Sequence, residues 1–259
     1  MSIGDVLLDV QDVSYHFGGV QALAGCSFTV HEGETLGLIG PNGAGKTTVG
    51  EMICGGRHPA TGRILFGGVD ISHSARWQIA RLGVVRTFQM ARLMTDTAVM
   101  ENAMLARRPQ RGERLWRSFF PRLWWDQEIE IATAAERTVT VVTLQEKLTQ
   151  MAGVLSGGQR KLLELARAAV GEPRMLVLDE PVAGVNPRLR DDMVSVLRAF
   201  QEAGVTLLIV EHNLSFIERL CKRVIVMDQG RILTSGTLDE VRADPQVAKS
   251  YLGMNVVVA

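Results

Sequence analysis

The sequence predicts an α/β chain: a parallel sheet with helices on both faces, joined to an antiparallel β element and carrying an inserted helical subdomain. Three observations predict it. The octapeptide Gly40-Pro41-Asn42-Gly43-Ala44-Gly45-Lys46-Thr47 lies between the apolar run Thr35 to Ile39 and a short helical run, Thr48 to Cys54. After Met175, apolar runs of strand length alternate with helical periodicity, which marks a parallel sheet covered on both faces. From about Met90 to Gly171, strand-like runs give way to helix formers.

Each element follows in order. Val6 to Tyr15 has mixed alternation and reads as a strand. Gly18-Gly19 turns the chain, and Gly25 to Val30, rich in β-branched and aromatic residues, reads as the return strand. Glu32-Gly33-Glu34 turns into the buried strand Thr35 to Ile39. Gly62 to Asp70, with Gly67-Gly68 at its turn, reads as a hairpin. Met94 to Leu105, Trp125 to Gln150 and Arg160 to Val170 are helical stretches of the inserted subdomain. Then come the strand Met175 to Asp179, a helix over Leu189 to Ala203, the strand Val205 to Val210, a helix over Asn213 to Cys221 and the strand Val224 to Met227. Asp228-Gln229-Gly230 is a turn, and a single helix is expected over Thr237 to Tyr251.

The octapeptide fits the phosphate-binding pattern G-x-x-x-x-G-K-[ST] at every constrained position. Gly43 and Gly45 let the backbone approach a phosphate with no Cβ in the way. Successive N–H groups form an anion nest, and the start of the following helix adds its positive dipole end. Lys46 supplies a point charge for the β- and γ-phosphates, and the Thr47 hydroxyl can ligate Mg²⁺. Gly40 through Thr48 are therefore candidate nucleotide contacts. Asp179 ends a buried strand at its carboxyl end, where open α/β sheets bind ligands. It is placed to hold Mg²⁺ directly or through water.

Composition narrows the classes. The 28 basic and 28 acidic residues cancel, which argues against a protein whose main work is gripping nucleic acid. Cys26, Cys54 and Cys221 form no C-x-x-C pair and suit a reducing compartment. The five histidines are scattered, so no zinc cluster is evident. No signal-peptide pattern is seen at the N-terminus, and apolar runs such as Val205 to Val210 are far below membrane-spanning length. A soluble protein that reaches a membrane only through a partner is expected.

Leu155-Ser156-Gly157-Gly158-Gln159 precedes a strongly amphipathic helix. Ser156 is a natural N-cap, and the glycines expose backbone N–H groups. Alone, such a stretch is often just a cap. Beside the octapeptide it is a second anion cradle, and one nucleotide rarely needs two from one chain. Two chains that pair, each cradle facing the other's nucleotide, is the economical reading.

The octapeptide, Leu155 to Gln159, Leu176-Val177-Leu178-Asp179-Glu180-Pro181 and His212 together resemble the ATP-binding cassette ATPases, in order and spacing and over nearly the whole chain. Val84-Val85-Arg86-Thr87-Phe88-Gln89, Ala183-Gly184-Val185-Asn186-Pro187 and the ending from Asp244-Pro245 to Tyr251-Leu252-Gly253 are similar to the branched-chain amino acid importer subfamily, as is the long segment between Ala106 and Gln127. The resemblance implies a P-loop ATPase core with an antiparallel β subdomain (1–89 and 172–259) and a helical subdomain (90–171). It implies that Glu180 polarises the attacking water, that Gln89 ligates Mg²⁺ and water and senses the γ-phosphate, and that His212 hydrogen-bonds the γ-phosphate. Phe17, with Tyr15 as neighbouring candidate, matches the aromatic that stacks on adenine. Asn186 stands where the wider superfamily more often has Asp; it keeps hydrogen bonding and loses the charge.

The implied cofactors are ATP and Mg²⁺. The implied partners are transmembrane permease subunits, a second cassette subunit and an extracytoplasmic substrate-binding protein, with no nucleic acid. The implied place is the inner face of the cell membrane. Within transport, an alternative is the ATPase of a lipid or lipopolysaccharide extraction system. From another class, a soluble cassette protein acting on nucleic acid or ribosomes is disfavoured by one cassette and zero net charge. The stretch from Arg107 to Trp125 holds Trp116, Trp124, Trp125, Phe119 and Phe120 with Arg111, Arg114, Arg117 and Arg122. Aromatics with Arg suit an interface or a membrane surface, and equally a packed subdomain with a solvated basic face.

Overall fold

The computed structural model describes residues 4–87, 93–107, 110, 116, 119, 120, 122 and 124–252; Gln89, Arg111, Arg114, Arg117 and Gly253 lie outside them. The chain forms two compact units. The first comprises Met1–Arg86, Arg174–Pro181 and Gln201–Ala259, and the second Thr87–Pro173 and Val182–Phe200.

In the first unit, β1 (Val6–Phe17) and β2 (Val20–His31) pair antiparallel across the Gly18-Gly19 turn. With β4 (Thr61–Phe66) and β5 (Val69–Asp70) they form a four-stranded sheet in the order β2-β1-β4-β5. The second sheet has the order β10-β9-β3-β8-β7-β6. Its members are β3 (Thr35–Ile39), β6 (Val84–Thr87), β7 (Met175–Asp179), β8 (Thr206–Val210), β9 (Arg223–Asp228) and β10 (Arg231–Gly236). β3 runs parallel to β8 and β9, and β7 parallel to β8. Every residue of β3, β7 and β8 is buried, as continuous apolar runs require when both faces of a sheet are covered. Leu8, Val10, Ile64 and Phe66 of the antiparallel sheet share one core with Leu36, Leu38, Val49 and Met52.

Short helices complete this unit. α1 (Lys46–Ile53) follows β3, and α2 (Arg76–Arg81) precedes β6. Two features depart from the sequence reading. Arg231–Gly236 is a strand, paired antiparallel with β9 across the Asp228–Gly230 turn, where no strand is expected. The single C-terminal helix is instead two, Leu238–Ala243 and Pro245–Leu252. Pro245 has no N–H for the first helix's ladder, yet it suits the first position of the next.

The second unit is helical. Val99–Met104 (α3), Trp125–Val141 (α4) and Gly157–Val170 (α5) pack through Val99, Ala103, Ile131, Ala135, Val139, Leu162, Leu163 and Ala166. α4 stops well short of Gln150: Thr143 takes φ 60°, and Gln145–Lys147 is a 3₁₀ turn. α6 (Pro187–Glu202) begins with Pro187, and its Asn186 side chain accepts the Leu189 N–H at 2.9 Å. Asn186 thus serves as a neutral N-cap.

Candidate functional site

Register builds the site in the first unit. Leu38 lies opposite Val210, and Val210 opposite Asp179, so three neighbouring parallel strands end level. The loop Gly40–Gly45, the acid pair Asp179-Glu180 and the turn Glu211-His212 therefore leave the same carboxyl edge of the sheet. That edge is where an open α/β sheet offers its strand-to-helix loops to a ligand.

The loop is tight. A Cβ on Gly40, at φ 149°, would lie 2.1 Å from the Met227 carbonyl oxygen of β9, so only glycine fits. The β9–β10 turn holds the loop from outside: the Gly230 N–H donates to the Ala44 carbonyl at 3.1 Å. Lys46 is the first residue of α1 and is 6% exposed. Its Nζ donates to the Gly40 and Pro41 carbonyls, each at 2.8 Å. Burial pushes the Lys46 pKa down, against the pull of Glu180, Asp179 and Glu211. An amine so buried and so flanked is held against the loop, with three carboxylates to keep it charged.

Thr47 Oγ1 donates to Asp179 Oδ1 at 3.4 Å. A hydroxyl and a carboxylate at this separation are hard oxygen donors of the kind Mg²⁺ takes alongside phosphates. Glu180 has φ 47°, a left-handed conformation costly for a non-glycine residue. Its N–H donates to the Val210 carbonyl at 2.9 Å, which holds the strained turn in place. His212 Nδ1 lies 3.8 Å from Glu180 Oε1, and its ring is largely exposed. Thus Lys46, Thr47, Asp179, Glu180 and His212 gather at one edge, while Gln89 lies outside the described residues.

Phe17, at the end of β1, is 44% exposed. Tyr15 meets it edge-on at 5.0 Å, and the Arg57 guanidinium lies 4.4 Å from the Phe17 ring centroid. Arg57 is also ion-paired with Glu51 of α1, so the aromatic pair is tied to the helix that follows the phosphate loop. One face of Phe17 is covered by a cation, which leaves stacking to the other.

Sequence reasoning missed two charged groups here. Glu211 is fully buried, and its carboxylate accepts the N–H groups of His212 at 2.8 Å and Asn213 at 3.1 Å. It thereby fixes the backbone that carries His212. Its signal was an acid directly after the apolar run Leu207 to Val210. Arg86 of β6 places Nη2 2.6 Å from Asp179 Oδ2. An Arg in an apolar run was the only signal for it.

The second unit carries the other cradle. Ser156 caps α5 in a reciprocal box: its hydroxyl accepts the Gln159 N–H at 3.3 Å, and Gln159 Oε1 accepts the Ser156 N–H at 3.0 Å. A Cβ on Gly158 would meet Leu189 Cδ2 at 1.7 Å, whereas one on Gly157 would meet nothing within 4 Å. The helix start thus offers backbone N–H groups beside open space, a ready anion site.

A phosphate loop at the carboxyl edge of a parallel sheet, with an acid pair beside it, defines a P-loop nucleoside-triphosphate hydrolase. The ABC transporter family profile matches residues 23–183, and the chain belongs to that family, as an ATP-hydrolysing subunit. The high-affinity branched-chain amino acid transport ATP-binding protein BraF of Pseudomonas aeruginosa is 36% identical over 95% of this chain and 98% of its own. LivG of Escherichia coli K12, of the same description, is 35% identical over 95% and 98%. The crystal structure of an ATP-binding cassette of an ABC transporter in its ADP conformation superposes with a TM-score of 0.82 at 34% identity, over 96% of this chain and 99% of that one. A nucleotide-free cassette superposes at 0.81 with 33% identity, over 95% and 99%.

Proposed function

We propose that this chain is the ATPase of an importer for branched-chain amino acids. It works at the inner face of the cell membrane with permease subunits, a second cassette and an extracytoplasmic binding protein. Among the described residues, no helix is long and apolar enough to cross a membrane, so permeases would supply the path. The names of the relatives support the substrate class, and the level ends of β3, β7 and β8 carry the chemistry.

In this reading, Gly40 through Thr48 hold the triphosphate, and Lys46 exchanges its loop carbonyls for the β- and γ-phosphate oxygens. Thr47 and Asp179 are the residues that would hold Mg²⁺, which screens phosphate charge during transfer. Gln89 joins them as ligand and sensor. Glu180 accepts a proton from water attacking the γ-phosphorus, and His212 donates to a γ-oxygen. Phe17 stacks on adenine. Ser156 to Gln159 close on the nucleotide of the other cassette. Such catalysis rests on positioning and charge stabilisation. The sequence division into a nucleotide core with its β subdomain (1–89 and 172–259) and a helical subdomain (90–171) assigns the two cradles to different parts of one domain.

Reconstitution tests the substrate class. The chain, its companion cassette and the permeases encoded with it are placed in liposomes with the cognate binding protein. ATPase activity should rise when that protein carries leucine, isoleucine or valine. Stimulation by lipid or lipopolysaccharide instead would replace this reading.

A further inference from the structure

Arg86 has no part in the chemistry above, yet it is built into the metal end of the site. Asp179 divides its two oxygens. Oδ2 accepts from Arg86 Nη2 at 2.6 Å, while Oδ1 faces Thr47 Oγ1 at 3.4 Å. Arg86 Nη1 lies 3.8 Å from Glu51 Oε1, and Glu51 is ion-paired in turn with Arg57. Signs alternate along the row Asp179, Arg86, Glu51, Arg57. Arg86 and Asp179 are 16% and 9% exposed, so water screens them little. Arg86 Nε is buried with no hydrogen-bond partner among the described residues. The contacts its guanidinium makes are to the carboxylates of Asp179 and Glu51, so its charge is what the site uses.

We infer that Arg86 is an internal counter-ion that keeps Asp179 from taking up a divalent cation until a triphosphate is bound. This rests on Asp179 being a metal ligand. Mg²⁺ sheds water reluctantly and usually needs one or two carboxylates plus phosphate oxygens. A carboxylate already neutralised by a guanidinium attracts a bare dication weakly. A triphosphate adds several negative charges and oxygen ligands, and the balance tips to metal binding. Removing Arg86 leaves Glu51 with Arg57, and Asp179 with only the longer-range field of Lys46, which it shares with Glu180 and Glu211, so the site gains affinity for a bare cation.

Mn²⁺ alone is the probe, titrated into full-length protein without nucleotide and followed by loss of the free-ion paramagnetic resonance signal. Arg86→Met should bind one Mn²⁺ at least tenfold more tightly than wild type, and Arg86→Lys should match wild type. Adding Asp179→Asn to Arg86→Met should abolish the gain. Arg86→Gln, which can still hydrogen-bond Asp179, serves if the Met variant fails to melt cooperatively. Unchanged or weaker Mn²⁺ binding in the uncharged variants overturns the counter-ion, as does a gain that survives Asp179→Asn. A thermal shift of wild type by ATP in EDTA separates the two readings: its absence overturns the nucleotide site itself, and the counter-ion with it.

Discussion

Among the described residues, the Lys46 ammonium donates to two loop carbonyls and lies in the field of three carboxylates, so its truncation removes one charge from the loop. Lys46→Ala should lose a charge-assisted contact worth on the order of 1.5–3 kcal/mol, or roughly 10- to 150-fold in ATP affinity. Mg-ATP should raise the wild-type melting temperature by mass action; equal shifts in wild type and Lys46→Ala would remove Lys46 from the site. Glu211 makes a second residue-level test. Glu211→Ala strands two part-buried N–H groups, at no more than roughly 1–3 kcal/mol each, and melting should fall by about 2–4 °C per kcal/mol. Glu211→Gln keeps an acceptor oxygen and should recover most of the loss. Equal melting of the Ala variant and wild type would show that the carboxylate does not hold the His212 turn. The octapeptide was legible because its residue types are dictated by backbone and phosphate geometry. Glu211 and Arg86 were not, because their partners are set by strand register: nothing near Arg86 in sequence says that Asp179, 93 positions on, will lie beside it.

Elements were legible where hydrophobic period and length agreed. The three fully buried strands ending in the site were located to within a residue, since a short apolar run bounded by polar residues has few other fates. β10 was missed because Arg231 to Gly236 is only half-buried at an edge, with four polar or glycine residues in six. That edge hairpin still matters, since Gly230 anchors the phosphate loop. The Trp-rich stretch divides at the start of α4. Trp124 is half-buried with its indole N–H enclosed, while Trp125, Trp116, Phe119 and Phe120 are 57%, 81%, 70% and 60% exposed. Trp125→Ala should therefore leave the melting temperature within a degree or two and reduce co-purification with the permeases. Trp124→Ala should destabilise the protein, by less than the roughly 3–5 kcal/mol of a fully buried Trp. Normal partner capture by Trp125→Ala would assign that ring no docking role.

Pairing of two chains is a property of the whole molecule, and Glu180→Gln exposes it. The substitution keeps shape and hydrogen bonding at a residue whose strained turn already aims it from the sheet edge. It cannot accept the proton, so turnover should fall by about 10²- to 10⁴-fold, roughly 3–5.5 kcal/mol of barrier. Lys46 and the loop amides are untouched, so ATP should still bind and the bound state should accumulate. If Ser156 to Gln159 of one chain close on the ATP of another, that state is a dimer. Gly157→Glu is the control the geometry recommends over Gly158. Around Gly157 a side chain meets open space, whereas at Gly158 it would strike Leu189. An acidic residue in the first turn also suits a helix start. The added carboxylate should therefore leave the fold intact and repel a triphosphate from the cradle. Light scattering with and without Mg-ATP should show a monomer-to-dimer shift in Glu180→Gln that disappears in Glu180→Gln with Gly157→Glu. Full turnover in Glu180→Gln would take the proton-accepting role from this residue. An inactive variant that binds ATP and stays monomeric alone, but dimerises once the companion cassette is added, would show that the second cradle comes from a different chain.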